Sequence, residues 1–183
     1  MKGKALTMTR RKTIGNFIVA ALLLLAICPA MHAQKDTWRQ ATDAELGSLL
    51  PARAPVEKEH IETEMRTASG IVDNGGRFIA GVVLITAGYS ADGKYSHYLI
   101  VQAPIRVGGV ALKPGEYAFG YTHAGDELQV HFNVAATGAL VGTTEAHLLT
   151  GVRGITSLHI WPPGARQVIQ IGRFGISYEI GHE

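Results

Sequence analysis

Alternation of polar and apolar side chains between residues 95 and 134 is the feature that most restricts the fold of this chain. It is clearest over Glu127–Val134, where Leu128, Val130, Phe132 and Val134 alternate with Glu127, Gln129, His131 and Asn133. Successive side chains of a β-strand point to opposite faces of the sheet, so this stretch predicts a strand with one dry face and one wet face. Turn residues stand where the alternation stops, so neighbouring strands can return antiparallel within a few residues.

The same combination of short strands and turns continues through most of the chain. Turn signals recur near residues 74, 92, 114, 125, 138, 152, 163 and 172. A spacing of about 8 to 14 residues is typical of an antiparallel β-sandwich or barrel, and the helix–strand alternation of a parallel α/β protein is absent. We therefore predict one all-β domain over residues 60–183, an antiparallel β-sandwich, with a small β-barrel as the alternative.

Residues 1–33 have the layout of a secretory signal peptide. Five basic residues near the start precede an unbroken apolar run over residues 17–27, and small residues lead into polar Gln34. This pattern predicts export to the periplasm or outside the cell, with cleavage after Ala33 or Ala30. The run is shorter than the roughly 20 apolar residues of a membrane anchor. An uncleaved anchor and lipidation at Cys28 remain as alternatives.

Cleavage would change the charge of the protein and remove its thiol chemistry. The leader holds five of the 17 Lys and Arg and none of the 15 Asp and Glu, so residues 34–183 carry a net charge of −3. The basic character of the whole chain therefore belongs to the leader, and we predict neither a nucleic acid partner nor stable membrane insertion after cleavage. The single cysteine, Cys28, leaves with the leader, so no disulfide is expected.

Residues 34–59 are the least strand-like part of the chain after the leader. Thr42 and Glu45 have the spacing of a capping box, and Leu46, Leu49 and Leu50 follow. Pro51 stops further extension. We predict one short helix packed on the sheet and a linker after it; the alternative is a flexible tether rich in proline and charge.

Seven histidines remain after cleavage and raise the possibility of a metal site. A strand-borne site needs two ligands two residues apart on one face, and no His-x-His occurs. Glu145 and His147 have that spacing. If neighbouring strands align, the candidate metal ligands are His97, His123, His131 and Glu145. The alternative is a set of scattered strand histidines with ordinary hydrogen bonds, and no cofactor is predicted.

An alternating aromatic pattern suggests a ligand-binding surface. Tyr117, Phe119 and Tyr121 share one strand face, and Trp161 stands at the end of a later strand. These four are the candidate ligand-binding residues, for an apolar or sugar-like ligand in a cleft or barrel mouth. Ordinary core packing explains the same residues without a ligand.

Sequence motifs of catalysis are not found in this chain. It has no Gly-x-Ser-x-Gly elbow, no phosphate-binding glycine loop and no calcium loop. We therefore expect a non-catalytic, exported protein that acts as a binding or structural module of the cell envelope, with an unknown protein or small-molecule partner. The alternatives are a small barrel that binds a hydrophobic ligand, and a histidine–carboxylate metal protein or metalloenzyme.

Overall fold

Hydrogen bonds between antiparallel strands join nearly the whole described chain into one sheet. The computed structural model describes Gly3, residues 37–152 and residues 154–181, so the predicted leader, apart from Gly3, lies outside the described residues. Its elements in chain order are β1 (Arg39–Gln40), α1 (Asp43–Leu49), β2 (Arg53–Val56), β3 (Glu59–Val72), β4 (Phe78–Leu84), β5 (His97–Val101), β6 (Ile105–Val107), β7 (Val110–Leu112), β8 (Gly115–Ala124), β9 (Glu127–Val134), β10 (Leu140–Leu148), β11 (Thr156–Ile160), β12 (Val168–Gly172) and β13 (Phe174–Ile180).

The strand order makes the sheet an almost closed barrel. The order is β1-β3-β4-β5-β8-β9-β10-β13-β12-β11, with β2 beside β3 and the β6–β7 hairpin beside β13. The last strand of this path, β11, lies next to β3, where the Ile160 backbone N–H donates to Ser69 Oγ at 2.9 Å. The all-β antiparallel prediction with one short helix is confirmed, and of the two predicted architectures the sheet is closer to the barrel.

Local signals placed most elements correctly. The bounds of β9 and β13 are the predicted ones, and the Gly108-Gly109 pair forms the turn between β6 and β7. Helix α1 begins at the predicted capping box, where Thr42 Oγ1 accepts from the Glu45 N–H and Glu45 Oε2 accepts from the Thr42 N–H. The hydrogen bond from the Arg39 guanidinium lowers the pKa of Glu45 to about 2, and the hydrogen bonds from Thr42 contribute a smaller lowering.

Strand β3 begins in a polar segment, which includes residues 61–67, and extends well beyond it. Strand β3 is 14 residues long and pairs with β4 on one side and with β2 and β1 on the other. The polar composition of this segment suggested an edge. Strand β2, which contains Pro55 and was not predicted, pairs with the first residues of β3, from Glu59 to Glu62, and its Ala54 and Val56 are buried.

Alternate side chains of each strand enter two separate hydrophobic clusters. The inner cluster fills the barrel and includes Leu99, Phe119, Phe132, Ile160 and Tyr178. The outer cluster lies on the other face of the sheet, beneath α1 and β2, and includes Leu46, Val56, Ile61, Val82 and Tyr98. Side chains therefore fill the barrel interior, and the outer cluster holds α1 and β2 on the sheet. Among the described residues, no helix has the length and apolarity that crossing a membrane requires.

We predict that Ser69→Ala weakens the closure of the barrel. The substitution leaves the buried Ile160 N–H without its acceptor, and an unsatisfied buried donor costs about 1–3 kcal/mol. Urea unfolding followed by circular dichroism measures the change in the free energy of unfolding. Ser177→Ala removes an exposed serine from β13 and should change that free energy by less than about 0.5 kcal/mol. Equal effects of the two variants would contradict a specific role for the Ser69–Ile160 bond.

Candidate binding site

Strand β8 carries aromatic side chains from the barrel interior out to its end. Tyr117, Phe119, Tyr121 and His123 occupy alternate positions of this strand and therefore share the inner face. Tyr117 and Phe119 are buried, whereas Tyr121 and His123 are exposed. The strand thus runs beyond the packed core and presents its last inner-face rings at the barrel end.

The deeper rings belong to the core. Tyr117 donates its hydroxyl to the Lys113 carbonyl at 2.7 Å. The Phe119 ring is fully buried, stacks on the His97 ring with centroids 4.6 Å apart, and lies 5.3 Å from the Phe132 ring. For Tyr117 and Phe119, the structure therefore agrees with the core-packing alternative.

Four side chains at the barrel end form a row, which we call the rim row: exposed Tyr121, His123 and Leu148, and half-buried Phe174, which packs against the inner cluster. The Tyr121 and His123 ring centroids are 6.2 Å apart, and those of His123 and Phe174 are 6.1 Å apart. Leu148 is the register partner of Phe174, so both lie on the same face of the sheet. Tyr121 is 36% exposed and Leu148 48% exposed, and such exposure is informative because the side chains are contiguous.

His97 links the rim row to the interior. Its ring is 97% buried, with its centroid 6.2 Å from that of Tyr121. Its Nδ1 lies 2.8 Å from Ser96 Oγ, and its Nε2 lies 3.3 Å from the Ser157 carbonyl of β11. Burial lowers the pKa of His97 to about 4, against a weaker opposing effect of the Ser157 carbonyl. The ring is therefore neutral at pH 7.

Trp161 does not join the other predicted ligand-binding residues. Its indole N–H donates to the side-chain oxygen of Gln170 at 2.9 Å. The His159 ring lies 4.3 Å from the Trp161 ring, and the Arg166 guanidinium carbon lies 5.6 Å from it. His159 and Trp161 alternate with Leu158 and Ile160 of the inner cluster, so the indole lies on the opposite face from the rim row.

The four predicted metal ligands are divided between the two faces of the sheet. His97 is opposite Phe119, and His123 is opposite Leu128, so both are on the inner face. His131 is opposite Gly120 and Thr143, which places it on the outer face together with Glu145. His131 is close to the Lys94 carbonyl, with its Nε2 3.0 Å from that oxygen. The sheet itself therefore keeps these four residues from forming one coordination sphere.

Sequence reasoning underrated two residues beside Glu145. His147 and Glu127 meet on the outer face, where His147 Nδ1 lies 2.8 Å from Glu127 Oε1. The signal was present, because Glu145 and His147 are two residues apart on one strand. It needed the β9–β10 register to bring in Glu127. Leu148 of the rim row was missed for the same reason.

A groove beside α1 is the main competing surface. It is lined by residues of α1, of the following loop and of β3: Asp43, Leu46, Gly47, Leu50, Ala52, Met65, Arg66 and Ala68. Leu46 and Leu50 also pack in the outer cluster. The groove contains no aromatic ring, and its charged side chains are Asp43 and Arg66. It therefore offers fewer recognition groups than the rim row.

Comparison with protein-family models, with curated proteins and with solved structures gives no match.

We predict that His97 makes the protein less stable in acid. In the unfolded chain a histidine takes up its proton near pH 6.5, but in the folded protein His97 does so only near pH 4. Between these values the unfolded state binds more protons, so the stability contributed by neutral His97 is full above pH 6.5 and is lost as the pH falls towards 4. The loss amounts to about 3 kcal/mol of unfolding free energy.

The test compares urea unfolding at several pH values for the wild type and His97→Phe. The phenylalanine ring can still stack on Phe119 but cannot take a proton, so the variant should lose most of this pH dependence. His60→Gln changes an exposed histidine and should keep the wild-type slope. A His97→Phe variant with the full wild-type slope would show that another group causes it.

Proposed function

We propose that this protein is an exported, non-catalytic binding module of the cell envelope, and that it binds its ligand through the rim row. The observation that carries this proposal is one contiguous row in which Tyr121, His123 and Leu148 are exposed and Phe174 is half-buried. Exposed apolar surface that is continuous rather than scattered is characteristic of interaction sites. The leader-like residues 1–33 support export.

The filled interior favours binding at the barrel end over binding inside the barrel. Phe119, Phe132 and Tyr178 are each at most 2% exposed and occupy the space between the barrel walls. Tyr178 also donates its hydroxyl to the Trp161 carbonyl at 2.5 Å, which fixes the ring in place. A ligand that entered the interior would have to displace well-packed rings, which costs several kcal/mol. The rim row requires no such rearrangement.

The chemistry of the row indicates a ligand with a flat, partly apolar ring. Aromatic faces and the Leu148 methyl groups take up apolar surface with little loss of side-chain freedom, and tyrosine is a residue enriched among binding hot spots. The Tyr121 hydroxyl and the His123 ring nitrogens supply hydrogen-bonding groups at the edge of the row. A small ring-bearing molecule, or a ring presented by a larger envelope component, fits this combination.

We predict that the rim row binds a planar apolar probe, N-phenyl-1-naphthylamine. Fluorescence titration of the wild type should show saturable binding. The double variant Tyr121→Ala/Phe174→Ala should bind at least about tenfold more weakly, since truncating a hot-spot ring costs about 1.4 kcal/mol or more. Ligand extraction from the exported protein, followed by mass spectrometry, would then identify the natural compound.

The matched control is Leu140→Ala, which removes a side chain that is 63% exposed and lies elsewhere on the sheet. This variant should keep wild-type affinity for the probe. A wild type without saturable binding would overturn the proposal. So would equal affinity of the double variant and the wild type, provided that circular dichroism shows both folded.

A further inference from the structure

We propose that Glu127, Glu145 and His147, which we call the outer triad, bind a divalent transition-metal cation. The site lies on the outer face of β9 and β10 and shares no residue with the rim row, so it does not rest on the proposed function. One potential ligand atom from each residue lies within 4.8 Å of the other two.

The register of β9 and β10 produces this convergence. Glu145 is opposite Gln129 and Ala146 is opposite Leu128, so the next position, His147, lies beside Glu127. Glu145 and His147 are two residues apart on β10 and therefore point to the same face. Residues 18 and 20 positions apart along the chain thus meet through strand pairing, and the sheet backbone holds all three.

The triad carboxylates are not among the five carboxylates that pair with an arginine or lysine in the part of the chain that the structure describes. Glu45, Glu62, Glu64 and Asp73 each pair with an arginine, and Glu57 pairs with Lys94. Within the described ranges, neither Glu127 nor Glu145 forms an ion pair with a lysine or arginine, and the one ion-pair partner of Glu127 is His147. Two carboxylates this close repel each other, and a bound cation would relieve the repulsion.

The surroundings leave room for a metal ion and for further ligands. The side chains of His147 and Glu127 are 63% and 42% exposed, so their rotamers can adjust without disturbing the core. A tetrahedral ion with bonds of about 2.1 Å needs ligand atoms about 3.4 Å apart, a modest contraction from the present spacing. A depression lined by Gln129, Thr143, Thr144 and Glu145 adjoins the triad and gives water access to open coordination positions.

The donor set selects the class of ion. One imidazole nitrogen and two carboxylates suit borderline cations such as Zn²⁺, and less so Ca²⁺, which prefers six to eight oxygen ligands. Three protein ligands leave at least one position for water or another molecule. The outer triad is therefore expected to bind Zn²⁺ more tightly than Ca²⁺.

The test is isothermal titration of the metal-free full chain with Zn²⁺. We expect saturation at one equivalent for the wild type and a loss of affinity on the order of tenfold or more for both His147→Ala and Glu127→Gln. These side chains are exposed, so both variants should fold, and circular dichroism checks this. Nuclear magnetic resonance of ¹⁵N-labelled histidine should show the His147 ring as the one most perturbed by Zn²⁺.

The matched control is His60→Gln, which removes an exposed histidine from strand β3, outside both the outer triad and the rim row. This variant should bind Zn²⁺ as the wild type does. The proposal is overturned if the wild type shows no stoichiometric Zn²⁺ binding, if His60→Gln loses as much affinity as His147→Ala, or if Ca²⁺ binds more tightly than Zn²⁺. None of these results depends on whether the rim row binds its probe.

Discussion

The packing of large side chains between the walls of the barrel is the constraint on which the rest of this structure depends. Phe119 is stacked on His97 from one neighbouring strand and in contact with Phe132 from the other, so three strands are held by one group of rings. Once these positions face inward, the pleat fixes the face of every other residue on the same strands. The filled interior also moves any binding surface to the outside or the ends of the barrel.

The two proposed sites follow from this single arrangement. On β8, the alternation that buries Phe119 also brings Tyr121 and His123 to the exposed end of the inner face. On β9, the alternation that buries Leu128 turns Glu127 to the outer face. The rim row and the outer triad therefore lie on opposite faces of the sheet, even where Leu148 follows His147 on the same strand. Substitutions in one site should have little effect on ligand binding at the other.

How far the sequence predicted the fold depends on whether the decisive information was local. The bounds of β9 and the capping box of α1 rest on residues close together in the chain, and both were predicted. Strand β2 was missed because Ala54 and Val56 become a strand through burial against β3, which no local pattern records. Predicting which site residues come together required the register between neighbouring strands, which is not a local property of the sequence. Part of this register follows from a turn that is local in sequence. The two-residue turn at Gly125-Asp126, where Gly125 has a φ of +64°, sets His123 opposite Leu128.

That register decides which histidine groups are physically possible. A residue opposite Leu128 must face the core, whereas His131, an odd number of positions from Leu128 on the same strand, must face away from it. His123 and His131 therefore could not share a metal ion, even though both are strand histidines close in sequence. Glu127, which begins β9 beside the turn at Gly125-Asp126, is on the same face as His147 and Glu145. The face of the sheet on which each histidine lies therefore decides which residues can share a metal ion, and the number of histidines does not.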